Sequence, residues 1–288
     1  MKKNNIIIYI LLLIYILLIL NPSITINTIK DMSYIYFIKI FPNMFPSMVI
    51  GSILIKQNVN KIIPGFLITF FNKICNFSNI NTTIFIMSLL TGAPSYALYI
   101  NDYYNNKIIT EKEALGLLHT CFFINPLFVI SAVGTIMFNS IKLGLLLYIL
   151  LVAKNIIKII ILKNEFNSVN ISIIDNKEPI TVSLITSIKS AITASLNIYG
   201  IIIFFNIIIN ILTNIFSISP IINIIISSTL EITTGIIKLV NTNIPIIYKF
   251  IISFLMLNFG GICIHIQTIS IIKNKKIRYI KYLINRII

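Results

Sequence analysis

Apolar runs separated by short polar connections recur along the whole of this chain. Eight longer runs cover residues 6–20, 33–55, 84–100, 114–138, 143–162, 196–212, 221–240 and 246–272. A helix needs roughly 20 apolar residues to cross the hydrocarbon core of a bilayer. Most of the runs approach that length, so the pattern predicts an all-α polytopic membrane protein with about eight membrane segments, some of them broken or re-entrant.

Two of the predicted segments contain residues that interrupt a helix. Gly92 and Pro94 lie inside the third run, and Gly260 and Gly261 lie inside the last. Glycine and proline weaken a helix, and proline also removes a backbone donor. Freed backbone groups at membrane depth are tolerated where the chain is buried or lines a cavity, and secondary transporters bind solutes at such breaks. The breaks therefore predict a solute site; the alternative is a pair of kinked helices that pack on their neighbours.

The hydrophilic stretch 163–180 divides the chain into two halves. We expect an uncleaved N-terminal transmembrane anchor at 1–30 and a first half at 31–162. A polar connector at 163–180 then leads to a second half at 181–288, which ends in a basic tail. The positive-inside rule predicts that the tail is cytoplasmic. In each half a lysine, Lys39 or Lys189, precedes an apolar segment that is expected to be interrupted, and a further break follows. In the second half we expect the first interruption near Gly200. This order predicts an inverted repeat.

Composition and charge support the membrane class. The 288 residues are 57% hydrophobic and 11% charged, with a mean hydropathy of +0.96, whereas soluble domains have about 25% charged residues. The net charge of +15 would suggest nucleic acid in a soluble protein. Here the basic residues lie between apolar runs and in the tail, so we expect the lipid bilayer as partner and no nucleic acid.

Polar residues near the breaks are the candidate ligands of a solute. Glu231 is the only acidic residue inside an apolar run, where a charge costs about 2.5–3.5 kcal/mol on insertion scales. It is expected to be functional unless it only marks the start of a helix. The other candidates are Thr91, Gly92, Pro94, Ser95, Asn125, Thr233, Thr234, Gly260, Gly261, His265 and Gln267. Lys39 and Lys189 are auxiliary cations if they face the same cavity, and His265 is also a candidate for proton coupling; interhelical hydrogen bonding is the structural alternative.

No catalytic or cofactor motif accompanies these residues. The aspartates lie in connections, and no Gly-x-Ser-x-Gly, HExxH, Walker or dinucleotide pattern occurs. The cysteines Cys75, Cys121 and Cys263 are widely spaced, without metal-binding spacing. We expect no enzymatic activity, no metal and no cofactor, and we leave a homo-oligomer open.

Five motifs occur in an order that resembles a known family. They are FPNMFPS at 41–47, TGAP at 91–94, NPLF at 125–128, LEITTG at 230–235 and FGGICIHIQ at 259–267. Together they resemble the YlbJ-type sporulation integral membrane proteins, which carry the nucleoside-recognition gate domain. The family usually has SGYP and a following lysine where this chain has TGAP followed by SYAL.

The resemblance implies a role in an endospore-forming bacterium. It implies transport of dipicolinic acid, a small planar dianion, across the outer forespore membrane during spore maturation. Half-helix N-termini offer N–H donors and partial positive charge, which suit an anion. The residues alone indicate only a small polar solute. A nucleoside permease and a non-transporting scaffold for spore assembly are the two alternatives.

Overall fold

The computed structural model describes residues 2–166, 179–216 and 218–272, apart from the side chains of residues 2–5, 7, 10, 39 and 43. The side chain of Lys39 and the basic tail therefore lie outside the described residues. Every regular element in these ranges is helical. An all-α chain rich in apolar helices is the coarse architecture predicted from the sequence, and that prediction is confirmed.

Thirteen α-helices follow one another in the described ranges. They are α1 (Lys2–Leu20), α2 (Pro22–Ile35), α3 (Phe41–Lys56), α4 (Gly65–Cys75), α5 (Asn79–Thr91), α6 (Ser95–Asn105), α7 (Glu111–Thr120), α8 (Ile141–Ile161), α9 (Ile180–Ile215), α10 (Pro220–Leu230), α11 (Ile232–Val240), α12 (Ile246–Phe259) and α13 (Gly261–Ile271). Two π-helical segments, Tyr36–Ile40 and Phe128–Met137, and two short 3₁₀ turns, Val59–Lys61 and Lys163–Glu165, complete the order.

Three helical stretches in the described ranges are long and apolar enough to cross a membrane. They are Ile141–Ile161, Ile180–Ile215 and the broken but nearly straight Ile246–Ile271. A fourth candidate joins Leu11–Leu20 to Pro22–Ile38, but these two pieces are bent by 95°. The expectation of about eight segments is thus not confirmed, because several apolar runs form helices of 10–17 residues. The anchor expected at 1–30 is likewise not one straight helix.

The long helix α9 corrects one expectation. An interruption was expected near Gly200, yet α9 continues without a break from Ile180 to Ile215. A single glycine weakens a helix interior by about 1 kcal/mol relative to alanine but keeps its backbone donor, so packing overrides it. Gly200 faces outward with nothing near its would-be Cβ.

The segment 114–138 corrects a second expectation from the sequence. It was expected to be one helix kinked at Pro126, but α7 ends at Thr120 and the chain is irregular from Cys121 to Asn125. A residue before proline is pushed out of the helical region, so the helix stops ahead of Pro126 rather than bending at it. The start of α7 is as expected, because Thr110 and Glu113 form the capping box.

Helices α3 and α9 pack antiparallel and form a central seam. Lys56 Nζ donates to Thr186 Oγ1 at 2.6 Å and Ser187 Oγ to Ser52 Oγ at 3.0 Å. Further along, the Tyr36 hydroxyl donates to the Ser195 carbonyl at 2.6 Å. The contacts move toward the start of α3 as they move toward the end of α9, which fixes the two helices in opposite directions. Elsewhere, one side of α8 exposes large apolar side chains, as a lipid-facing helix does.

Candidate functional site

Four interruptions of the helices meet around one cavity. They lie at Gly92–Pro94 between α5 and α6, at Cys121–Asn125 after α7, at Glu231 between α10 and α11, and at Gly260–Gly261 between α12 and α13. The sequence pointed to the first and last as breaks. The unwinding at 121–125 was not predicted, because the sequence indicated only a kink at Pro126, and the break at Glu231 was expected only as the alternative that this residue marks the start of a helix.

The first two interruptions lie in direct backbone contact. Gly92 has a φ of +73° and ψ of −172°, a conformation that only glycine adopts readily. A Cβ at this position would overlap the backbone nitrogen of Asn125 and lie 2.5 Å from its Cα. The Ala93 N–H donates to the Phe123 carbonyl at 2.6 Å. Glycine is therefore required at position 92 both by its dihedral angles and by this close approach.

Asn125 ties these two interruptions to a third element. Its amide nitrogen donates to the Thr91 carbonyl at 3.1 Å and to Ser47 Oγ of α3 at 3.2 Å. Its amide oxygen accepts from the N–H of Leu127 at 2.9 Å and from Phe128. One side chain thus caps the next helical segment and satisfies a carbonyl freed by the break, as buried backbone groups require.

Glu231 forms the turn of a helical hairpin. Its backbone is extended, and its carboxylate accepts from the N–H of Thr233 at 3.0 Å and of Thr234 at 2.7 Å. α11 then folds back along α10, since a Cβ on Gly235 would lie 2.5 Å from the Cα of Ser228. The alternative of a helix start was correct for the backbone, but Glu231 is only 2% exposed, so this cap lies inside the protein.

The fourth interruption packs against aromatic rings. Gly260 and Gly261 have φ values of +89° and +74°. A Cβ on Gly260 would overlap the ring of Phe122, which belongs to the unwound stretch after α7. His265, one turn into α13, is buried between Phe122 and Phe259, with ring centroids 5.9 and 5.1 Å away.

The cavity between these interruptions is small. Its volume is about 50 Å³, which is room for a few waters, since one water needs roughly 10–15 Å³ on this measure. Its lining consists of Ile40, Met44, Ala93, Ile124, Asn125, Phe128, Ile198, Ile202, Glu231, Ile232, Thr233, Cys263, Ile264 and Gln267. The lining is mostly apolar, with one carboxylate, two amides and one hydroxyl as its polar side chains.

The predicted site residues fall into two groups. Asn125, Glu231, Thr233 and Gln267 line the cavity. The others lie in the breaks or the adjoining turns: Thr91, Gly92, Pro94, Ser95, Thr234, Gly260, Gly261 and His265. Lys189 is exposed on α9 and does not line the cavity, so the structure gives no support to it as an auxiliary cation.

Other residues that support the breaks were missed. The amide nitrogen of Asn155 on α8 donates to the Phe122 carbonyl at 2.7 Å, and the Tyr148 hydroxyl donates to the Leu89 carbonyl at 2.6 Å. Asn206 of α9 accepts from Thr234 Oγ1 at 2.7 Å. Asparagine is abundant throughout this chain, so a single asparagine in an apolar run carried no signal.

Within the described ranges, no group of three or more His, Cys, Asp or Glu residues could hold a metal ion. The cysteines Cys75, Cys121 and Cys263 are free and buried. Comparisons of the chain with protein-family models, with curated proteins and with solved structures found no match.

Proposed function

We propose that this chain is a membrane carrier that binds a small polar solute where the four interruptions meet. The observation that carries the proposal is their convergence on one cavity with Asn125, Glu231, Thr233 and Gln267 on its wall. Interrupted helices at the midplane are how secondary transporters expose backbone and polar groups to a solute. A protein that needed only packed helices would gain nothing from four interruptions in contact with one another.

Transport on this proposal requires movement. Solute sites usually have volumes of about 300–1,000 Å³, and the cavity of about 50 Å³ is much smaller. The structure therefore corresponds to a closed form, in which Glu231 and the α10–α11 hairpin lie against the other breaks. A loaded form needs this hairpin or its counterpart to move outward, which alternating access provides.

The order of elements supports the inverted repeat within this proposal. Each half has one helix of the α3–α9 seam, a pair of helices that contact each other across a break (α5–α6 or α10–α11), and a broken segment (α7 with Phe128–Met137, or α12–α13). α3 and α9 run antiparallel, as inverted halves do. This pairing matches the Gly92 break to Glu231, and the 121–125 break to Gly260. The order of features in the sequence had instead matched the Gly92 break to the Gly260 break.

Dipicolinate, moved across the outer forespore membrane of a spore-forming bacterium, is the substrate that the family resemblance implies, and we retain it as the first candidate. A dianion needs donors rather than further negative charge. The N–H groups at the start of α11 are already taken by Glu231, and the Gln267 amide nitrogen donates to Cys263 Sγ at 3.2 Å, which leaves the start of α13 near the cavity. Dipicolinate binding on this site therefore depends on backbone donors that the hairpin movement exposes.

A nucleoside is the second candidate, and one observation favours it. The polar side chains on the described lining are Asn125, Glu231, Thr233 and Gln267, a set that hydrogen-bonds hydroxyls and base edges without a cation. A carboxylate that accepts from ribose hydroxyls is attractive to a neutral solute and repulsive to a dianion.

Two measurements test these proposals. Purified protein is assayed for thermal stabilisation by dipicolinate and by uridine, since a ligand that binds only the folded state raises the unfolding midpoint. Uptake of each solute is then measured in vesicles for the wild type, Glu231→Ala and Gly200→Ala. We expect uptake of one solute, lost in Glu231→Ala and retained in Gly200→Ala. Uptake no greater than in empty vesicles contradicts a carrier and favours the scaffold, whereas equal uptake by all three proteins above that level contradicts the assignment of the site to Glu231.

A further inference from the structure

An open surface groove lies near the end of α9. It has a volume of about 420 Å³ and is lined by Asn27, Thr28, Asp31, Asn210, Asn214 and Asn223, among others. We call it the polar cleft. It lies between α2, the last turns of α9 and the first turns of α10. Side chains of this polarity face water rather than lipid, because burying their groups in hydrocarbon without partners costs several kcal/mol each.

The polar cleft and the central cavity share their walls. On α9, Ile198 and Ile202 line the cavity, whereas Asn210 and Asn214 line the cleft. The two sets are separated by the eight residues from Ile202 to Asn210, about 12 Å along the helix axis, and each four-residue step turns about 40° around the helix. The α10–α11 hairpin also lines both, with Asn223 in the cleft and Glu231 in the cavity.

A hydrogen bond joins α9 to the α10–α11 hairpin between the central cavity and the polar cleft. Asn206 lies midway along α9 between Ile202 and Asn210, and its Oδ1 accepts from Thr234 Oγ1 of the hairpin at 2.7 Å. Thr234 is also the residue whose N–H donates to Glu231. Asn206 is buried and its amide nitrogen donates to the Ile202 carbonyl. We call the Asn206–Thr234 hydrogen bond the latch.

The position of the polar cleft along the helices indicates the side of the membrane on which it opens. The short connections from α9 to α10 and from α11 to α12 bring the cleft end of α9 and the start of α12 together. The nearly straight α12–α13 then returns, so α13 ends near the start of α9, where Lys56 and Lys189 lie. The positive-inside rule makes that end cytoplasmic, and the cleft faces the opposite side.

We propose that the polar cleft is the vestibule through which a polar, hydrogen-bonding solute passes between the non-cytoplasmic face and the central cavity, and that the latch controls this passage. The inference rests on the proposed carrier function and adds its route and its side. Opening the latch lets the α10–α11 hairpin swing from α9 and joins the polar cleft to the central cavity. The cleft is lined by amides, hydroxyls and the Asp31 carboxylate, and the Lys238 ammonium donates to its Asn223 at 2.7 Å, so one charge of each sign accompanies the neutral groups and a neutral polar solute fits best.

Cys263 provides the test, because its thiol lines the central cavity. The full chain is treated with a small cationic, membrane-impermeant methanethiosulfonate, once in intact cells and once in inside-out vesicles. Modification of Cys263 is read by peptide mass spectrometry. We expect modification in intact cells, where the reagent meets the non-cytoplasmic face. Modification only in inside-out vesicles, or in neither preparation, overturns the proposal.

A matched pair of variants locates the route. Asn214→Trp fills the cleft, whereas Asn197→Trp makes the same change at another exposed position of α9. We expect the first to slow Cys263 modification at least tenfold and the second to leave it unchanged. Both asparagines are exposed, so neither change enters the core. Equal rates in the two variants overturn the route.

The latch has its own pair. Thr234→Val removes the latch donor, and Thr229→Val removes a hydroxyl that bonds only within its own helix. Losing one buried hydrogen bond of typical strength corresponds to about a fivefold change in an opening equilibrium. We expect the reagent to modify Cys263 about fivefold faster in Thr234→Val than in the wild type, and at the wild-type rate in Thr229→Val. An unchanged Thr234→Val rate overturns the latch. If solute uptake is absent while these rates behave as expected, the carrier function fails and the vestibule stands.

Discussion

The contact between Gly92 and Asn125 allows a quantitative test of how the breaks are held together. Gly92→Ala places a Cβ against the backbone nitrogen and Cα of Asn125, in a region of φ and ψ that alanine avoids. Strain of this kind costs about 1–3 kcal/mol, and forcing an atom into a packed region costs a further 1–3 kcal/mol or so. The overlap is with backbone, so no side chain can rotate away. We expect a loss of about 2–6 kcal/mol in the free energy of unfolding.

Gly200→Ala is the matched control. It makes the same chemical change inside a regular helix where nothing lies near the added methyl, and alanine there is favoured by about 0.5–1 kcal/mol. Thermal unfolding of both variants in the same detergent is followed by circular dichroism. We expect Gly92→Ala to unfold roughly 10 °C lower than Gly200→Ala. Equal midpoints would refute the reasoning that the close approach at Gly92 holds the first two interruptions together.

Three further predictions follow from the same site. Gly260→Ala should lower the free energy of unfolding by about 2–4 kcal/mol, because of the positive φ at this position and the overlap with Phe122. Adding Phe122→Leu should recover only the steric part of that loss, and full recovery or none in a double-mutant cycle contradicts this division. Asn155→Leu should cost about 1–3 kcal/mol by leaving the Phe122 carbonyl without its donor, and a midpoint equal to that of the exposed Asn197→Leu counts against it. Glu231→Ala should lower the free energy of unfolding by about 1–2 kcal/mol, because a helix cap is lost. Glu231→Gln should lower it less, because it keeps one capping oxygen, and the reverse order of the two unfolding midpoints would disprove the cap.

Much of the local structure could be predicted from the sequence. The all-helical class, the capping box at Thr110 and the interruptions at Gly92 and Gly260 follow from residues whose backbone preferences act within a few positions. The length and recurrence of the apolar runs indicated the membrane class, because a bilayer imposes the same demand on any helix that crosses it. The candidate residues at the breaks were found for the same local reason.

The remaining features depend on contacts between distant parts of the chain. Whether Gly200 interrupts α9, or Glu231 sits inside a helix or between two, is decided by what packs against those positions, and intrinsic preferences of about 1 kcal/mol are easily overridden. The number of full-length spans is decided in the same way, since a short apolar helix can bend back or remain broken where its neighbours satisfy the freed groups.

The sequence by itself determined where this chain is apolar and where its helices are weakest. Only the tertiary structure decided that the four interruptions face one another, that Asn125, Asn155 and Asn206 supply the missing hydrogen bonds, and that Lys189 points away. The physical reason is that single residues are enough to interrupt a helix, whereas the partners that stabilise the interruption at membrane depth come from helices far away in the chain.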